Sequence, residues 1–134
     1  MIVVDATAWI AYLVQRLPVD LTAVLNDKPD DLVAPPHVDF EVGSALRRME
    51  RQSQIDVGAA RSFITAFSRL PLRRLRAPDD AVHALWFTEN ATYADAWYLA
   101  LADRLGAAIM TTDTGMIAAA RIKKIAVVER NHQE

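Results

Sequence analysis

The sequence predicts an α/β fold: a central, mainly parallel sheet of four or five strands flanked by helices. Three observations carry this. Short β-branched or apolar runs alternate with segments of helical periodicity along the chain. No internal repeat or linker interrupts the alternation, so residues 1–134 read as one domain. Acidic residues recur where a strand ends or a helix begins, as at Asp5, Asp95 and Asp113.

Ile2-Val3-Val4 is the first strand, β-branched and apolar on both faces as a central parallel strand must be. From Ala6 a helix runs through Trp9, Leu13 and Leu17, with Asp5 or Thr7 as its cap. Pro18 ends it or starts a second helix through Leu21, Val24 and Leu25, which stops at the turn-rich segment 26–31. Leu32-Val33-Ala34 is the next strand. Pro35-Pro36 breaks from it into a helix over Val38–Arg51, whose apolar face is Val38, Val42, Ala45, Leu46 and Met49. Glu41 sits roughly 80° from the centre of that face, where its carboxylate can reach round the buried edge. Asp56 reads as the cap of a helix through Ala60, Ile64 and Phe67, and residues 71–75 as a weak edge strand. Asp79 and Asp80 read as caps of a further helix carrying Val82, Leu85 and Trp86.

The stretch YADAWYLALADRLGAAIMTTD, Tyr93 to Asp113, then packs a helix, a stop at Gly106 and a buried strand between two acids. On the helical wheel Asp95 lies about 80° from the centre of the apolar stripe and Asp103 about 160°, so Asp95 borders the core and Asp103 faces water. An Ala-rich helix follows, then a last strand over residues 125–128 and a frayed tail that includes His132.

Composition narrows the function. At 134 residues, 52% hydrophobic and 24% charged, the chain is an ordinary globular protein, and four Gly with six Pro exclude low complexity. With no cysteine there is no disulfide framework, thiolate metal site or thiol nucleophile. The start lacks a basic leader and no apolar run approaches a membrane span, so a cytoplasmic location is expected. A net charge of −2 argues against binding nucleic acid by bulk charge, yet 12 of the 15 cations are Arg, and several cluster.

Four acids stand in special places: Asp5 after the first strand, Glu41 beside a buried helix face, Asp95 at a helix start and Asp113 after a late strand. In a parallel sheet, strand ends and helix starts gather at the carboxyl edge, where open α/β sheets hold their ligands. Asp also caps helices well, so a purely structural reading of Asp95 and Asp113 stands beside this one. Four carboxylates brought together repel, and either take up protons or bind a cation. Oxygen-only donors favour Mg²⁺ or Mn²⁺ over Zn²⁺, and such a site can hydrolyse a phosphodiester. Thr7 and Thr112 are candidates to orient the carboxylates.

Arg47, Arg48 and Arg51 share the helix of Glu41, and Arg69, Arg73, Arg74 and Arg76 form the densest basic run. Arg47, Arg48, Arg73 and Arg74 are candidates to hold phosphates along a groove leading to the acids, against a plain reading as solvated charges. Trp9 with Tyr12, and Trp86 with Phe87, could stack bases, though core or interface roles are commoner for large aromatics. His37, His83 and His132 are isolated, and no Gly-rich phosphate loop or Ser-His-Asp pattern occurs.

With these residues placed, the chain resembles the PIN-domain ribonucleases, and more narrowly the VapC toxins of type II toxin–antitoxin pairs. The matching pieces are IVVDATAWIAYL, APPHVDFEVGSALRRM, YADAWYLALADRLGAAIMTTD and the closing strand. The resemblance assigns the family's acidic metal site to Asp5, Glu41, Asp95 and Asp113. It implies Mg²⁺- or Mn²⁺-dependent endoribonuclease activity, homodimerisation, and inhibition by a cognate antitoxin that packs on the toxin. One departure is Thr114-Gly115-Met116, where the family often has a basic residue and a Leu after the fourth acid. Two other readings compete: a PIN-like module that binds RNA or protein without turnover, and a small phosphohydrolase using Asp5 covalently.

Overall fold

The computed structural model describes residues 1–129. Four parallel strands form one sheet in the order β3-β2-β1-β4: β1 (Ile2–Val4), β2 (Leu32–Ala34), β3 (Arg73–Arg74) and β4 (Ala108–Met110). The central strand β1 pairs Val3 with Val33 on one side and with Ile109 on the other, and all three are fully buried. The order matters for function. After β3 the chain crosses back past β1 to place β4 on its far side, so the strand order reverses between β1 and β4. A crevice at the carboxyl edge of an open α/β sheet forms at such a reversal.

Among the described residues seven helices flank the sheet: α1 (Ala6–Leu13), α2 (Val19–Asp27), α3 (Val38–Arg51), α4 (Ala59–Ser68), α5 (Asp80–His83), α6 (Tyr93–Leu105) and α7 (Thr114–Ile122). Single 3₁₀ turns cover Pro29–Asp31 and Ala84–Phe87. Helix α6 has the firmest ends. Thr92 accepts from the Asp95 amide at its start, and Gly106, left-handed at φ 61°, closes it, with the Ala107 amide returning to Ala102 O at 2.9 Å. It buries Ala96, Tyr98, Leu99, Ala100, Leu101 and Ala102; the three alanines let it lie close against β1 and β4.

Several local expectations change. The first helix stops at Leu13 rather than running to Leu17: Gln15 adopts φ 60°, and Leu17 reaches the core from the following turn. The expected fifth strand over residues 125–128 reduces to one parallel bridge between Val127 and Ile109, because a left-handed turn at Lys124 delivers only residues 126–128 to the sheet edge. Asp56 does not cap α4; Glu50 on α3 does so from outside, its Oε1 accepting from the Gly58 and Ala60 amides at 2.9 and 3.2 Å. Asp80 is no surface cap either. It is 3% exposed, accepts from the Ala77 amide and receives Arg104 through two nitrogens at 2.9 and 3.2 Å, tying the start of α5 to α6. Trp9 is a core residue, packed edge-on against Tyr12 and Phe67, whereas Trp86 is exposed. The tail with His132 lies outside the described residues.

Candidate active site at the carboxyl edge

Asp5 is the most deeply set of the four acids. The end of β1 delivers it to the carboxyl edge, where it is 2% exposed and caps α1. Its Oδ1 accepts from the Ala8 amide at 3.0 Å and the Thr7 hydroxyl at 2.8 Å, and its Oδ2 from the Thr111 hydroxyl at 2.5 Å. Burial pushes its carboxyl up to about 6, against the pull of those three donors, and the charge of Asp95 adds to the rise.

Thr111 occupies the corresponding place on the neighbouring strand. Val4 and Met110 are in register, so the residues that come after them leave the sheet side by side. The Thr111 oxygen also accepts from the Asp113 amide at 3.0 Å, which links the loops after β1 and β4. Thr112, the expected hydroxyl donor, is instead exposed and meets the Thr7 hydroxyl oxygen through its backbone amide at 3.2 Å. Successive side chains of an extended segment point to opposite sides, so Thr111 and Thr112 cannot both face Asp5. Thr112 is the residue expected from the sequence; the register of Val4 with Met110, which only the structure shows, puts Thr111 there instead.

Asp95 stands in the first turn of α6, half-buried. It does not cap the helix, since Thr92 does. Its carboxyl is raised, first by burial and then by the negative charges of Glu41 and Asp113. Glu41 comes from the first turn of α3 and accepts from the buried Tyr98 hydroxyl at 2.6 Å. Burial and the adjacent Glu41 carboxylate push the Tyr98 phenol well up, which keeps it a donor. His37 is not isolated: its Nε2 donates to Ala94 O at 2.8 Å and lies 3.4 Å from Glu41 Oε1. Tyr98 and His37 were invisible to the pattern, the first as one more apolar position and the second as a lone imidazole.

Asp113 comes after β4 and caps α7, with Oδ1 accepting from the Gly115 amide at 2.9 Å. A Cβ at position 115 would sit 3.3 Å from that oxygen, so glycine gives this carboxylate its room. For Asp5 and Asp113, then, the capping and site readings are not alternatives: each caps a helix and faces the same edge.

Asp95 thus feels Glu41 and Asp113, and Asp5 feels Asp95, so the four acids form one electrostatic group at the reversal point between β1 and β4. Among the described residues no three His, Asp or Glu side chains make a ready-made metal cage. The donor set nonetheless suits a hard cation: it is all oxygen, and a positive ion would offset the burial and, after it, the mutual repulsion that raise Asp5 and Asp95.

The predicted basic residues divide. Arg74 donates to both oxygens of Asp39, at 3.1 and 2.6 Å, and to Leu72 O, so its charge is spent within the fold. Arg47 pairs with Glu50 at 3.1 Å. Arg73 and Arg48 are exposed, and Arg48 shares with Thr7 the lining of an open cleft between α1 and α3.

Residues 2–122 match the PIN domain. The chain belongs to this family. Ribonuclease VapC12 of Mycobacterium tuberculosis is 30% identical over 113 residues, 84% of this chain and 87% of that protein, which places the chain among the VapC ribonucleases of the PIN family. Two crystal structures share its fold. PAE2754 of Pyrobaculum aerophilum superposes with a TM-score of 0.67 at 22% identity, over 88% of this chain and 78% of that one. VapC20 of M. tuberculosis, a sarcin–ricin loop cleaving toxin, gives 0.65 at 18% identity, over 89% and 95%. Among the described residues of this PIN domain, no helix is long and apolar enough to cross a membrane.

Proposed function

We propose that this chain is the endoribonuclease toxin of a toxin–antitoxin pair, hydrolysing RNA phosphodiester bonds with Mg²⁺ or Mn²⁺ held by Asp5, Glu41, Asp95 and Asp113. The observation that supports it most is the coupling of all four acids through Asp95 at the carboxyl edge, in a chain of the VapC family. A bound divalent ion there supplies polarisation of the phosphoryl oxygen and an activated water.

The chain's own residues prepare the site. Asp5 and Asp95 are the main ligands, with Glu41 a ligand directly or through water and Asp113 a second-ion or water-positioning group. Thr7 and Thr111 fix the rotamer of Asp5, and Tyr98 that of Glu41, as outer partners of ligating carboxylates do. The toxin acts in the cytoplasm as a homodimer, a single PIN domain per chain, and is held in check by a cognate antitoxin.

The test is cleavage of total RNA by purified protein with Mg²⁺ or Mn²⁺ against chelator, alongside Asp5→Asn and Asp95→Asn. Metal-dependent cutting that both variants lose is the expected result. Equal cutting by parent and variants would mean a contaminant, and RNA binding without cutting in either metal would leave a binding module.

A further inference from the structure

Beyond Glu41 the acidic site continues into a ledge of rings that ends on a cation. His37 touches Glu41 on one side and packs against Tyr98 at 4.9 Å and edge-on against Trp97 at 5.9 Å on the other. Tyr93 meets the Trp97 ring at 90° with centroids 6.2 Å apart, and the Arg76 guanidinium stands over Trp97 at 5.7 Å. On the wheel of α6, Tyr98 lies roughly 60° and Trp97 roughly 160° round from Asp95, and Tyr98 and His37 both contact Glu41 between them.

Two features set this ledge apart from core. Trp97 is only partly buried, and Tyr93 is 45% exposed. Arg76 is exposed and has no carboxylate partner among the described residues, whereas Arg47, Arg74, Arg104 and Arg121 each have one. An unneutralised guanidinium parked on an indole, beside further rings, is the equipment with which proteins hold unpaired nucleotides: the rings stack a base and the cation takes a phosphate.

We propose that Arg76, Trp97 and Tyr93 form a subsite for one unpaired nucleotide of the RNA, next to the bond that is cut, with its base against the rings and its phosphate at Arg76. The proposal rests on the ribonuclease reading above. It makes the ledge, rather than the expected Arg74, a grip on substrate that adjoins Glu41 through His37.

The experiment uses the full chain carrying Asp95→Asn, so that RNA stays intact, and a labelled 12-nucleotide single-stranded RNA of mixed sequence read by fluorescence anisotropy across a salt series. Adding Arg76→Ala should weaken binding and make the slope of log affinity against log salt shallower by about 0.7, the share of one phosphate on a single strand. Trp97→Ala should weaken binding about 5- to 100-fold, while Trp97→Phe, which keeps a ring in the same shell, should retain most of it. RNA with abasic positions should bind the parent background as weakly as intact RNA binds Trp97→Ala, and lose nothing further in that variant. Unchanged affinity and slope in Arg76→Ala, unchanged affinity in Trp97→Ala, and an abasic penalty undiminished in Trp97→Ala would together overturn the subsite. The chain with Asp95 intact, assayed for cleavage in parallel, separates the two failures. If it cuts and the ledge variants bind normally, the subsite alone is wrong; if it cuts nothing with either metal, the ribonuclease reading falls.

Discussion

Thr111 donates its hydroxyl to Asp5 Oδ2 at 2.5 Å across the seam between β1 and β4, where the strand order reverses. That bond, with those from Thr7 and the Ala8 amide, holds a carboxylate that burial alone would protonate more readily still.

Asp5 makes stability depend on pH in the metal-free protein. Its carboxyl is raised from 3.8 to about 6 in the folded state, so the folded chain holds this proton more tightly than the unfolded one. Below pH 3.8 the group costs nothing; the cost grows as pH rises towards 6 and levels off above it at about 3 kcal/mol. Asp5→Asn should therefore raise Tm at pH 7.5 in chelator and lose that advantage in acid, as thermal scans from about pH 3.5 to 8 would record. Mg²⁺ or Mn²⁺ should raise the parent's Tm at neutral pH and leave that of the variant nearly unmoved.

Tyr98→Phe removes the 2.6 Å bond that orients Glu41 and leaves the ring in the core. Losses of this kind cost roughly 10- to 100-fold in metal affinity or activity. Metal titration of cleavage should show a higher half-saturating concentration, with far-UV circular dichroism unchanged. A curve identical to the parent's would mean that Glu41 needs no such anchor.

Gly115→Ala sets two effects against each other. Alanine is the better helix former by about 1 kcal/mol, but its Cβ would press on Asp113 Oδ1 from 3.3 Å and turn that carboxylate. If Asp113 positions a water or a second ion, Tm should hold or rise while cleavage falls. Equal cleavage at higher stability would reduce Asp113 to a helix cap.

Asp80→Ala tests the fold apart from the chemistry. It strips Arg104 of its partner and leaves the Ala77 amide unpaired. Because Arg104 is partly exposed, the loss should be about 2 kcal/mol rather than that of a fully buried pair. Urea unfolding would measure it, and activity per folded molecule should be unchanged.

The α/β alternation, the helix over Val38–Arg51 and the places of the four acids along the chain were legible in local periods of two and 3.6 residues and in the residues that terminate each run. Asp5 could be placed from β1 alone, since a strand that ends must deliver its next residue to the sheet edge, and Asp113 follows β4 closely enough to lie on the same edge. The surroundings of the acids came from long-range packing. Thr111 and Asp5 are 106 residues apart and Tyr98 and Glu41 are 57 apart, and no local pattern distinguishes a Tyr that buries its ring from one that also aims its hydroxyl at a carboxylate. The same holds for charge. Arg74 and Arg76 look alike in the run, but Asp39 takes the first and leaves the second over Trp97, because pairing depends on which helix start packs beside which strand end.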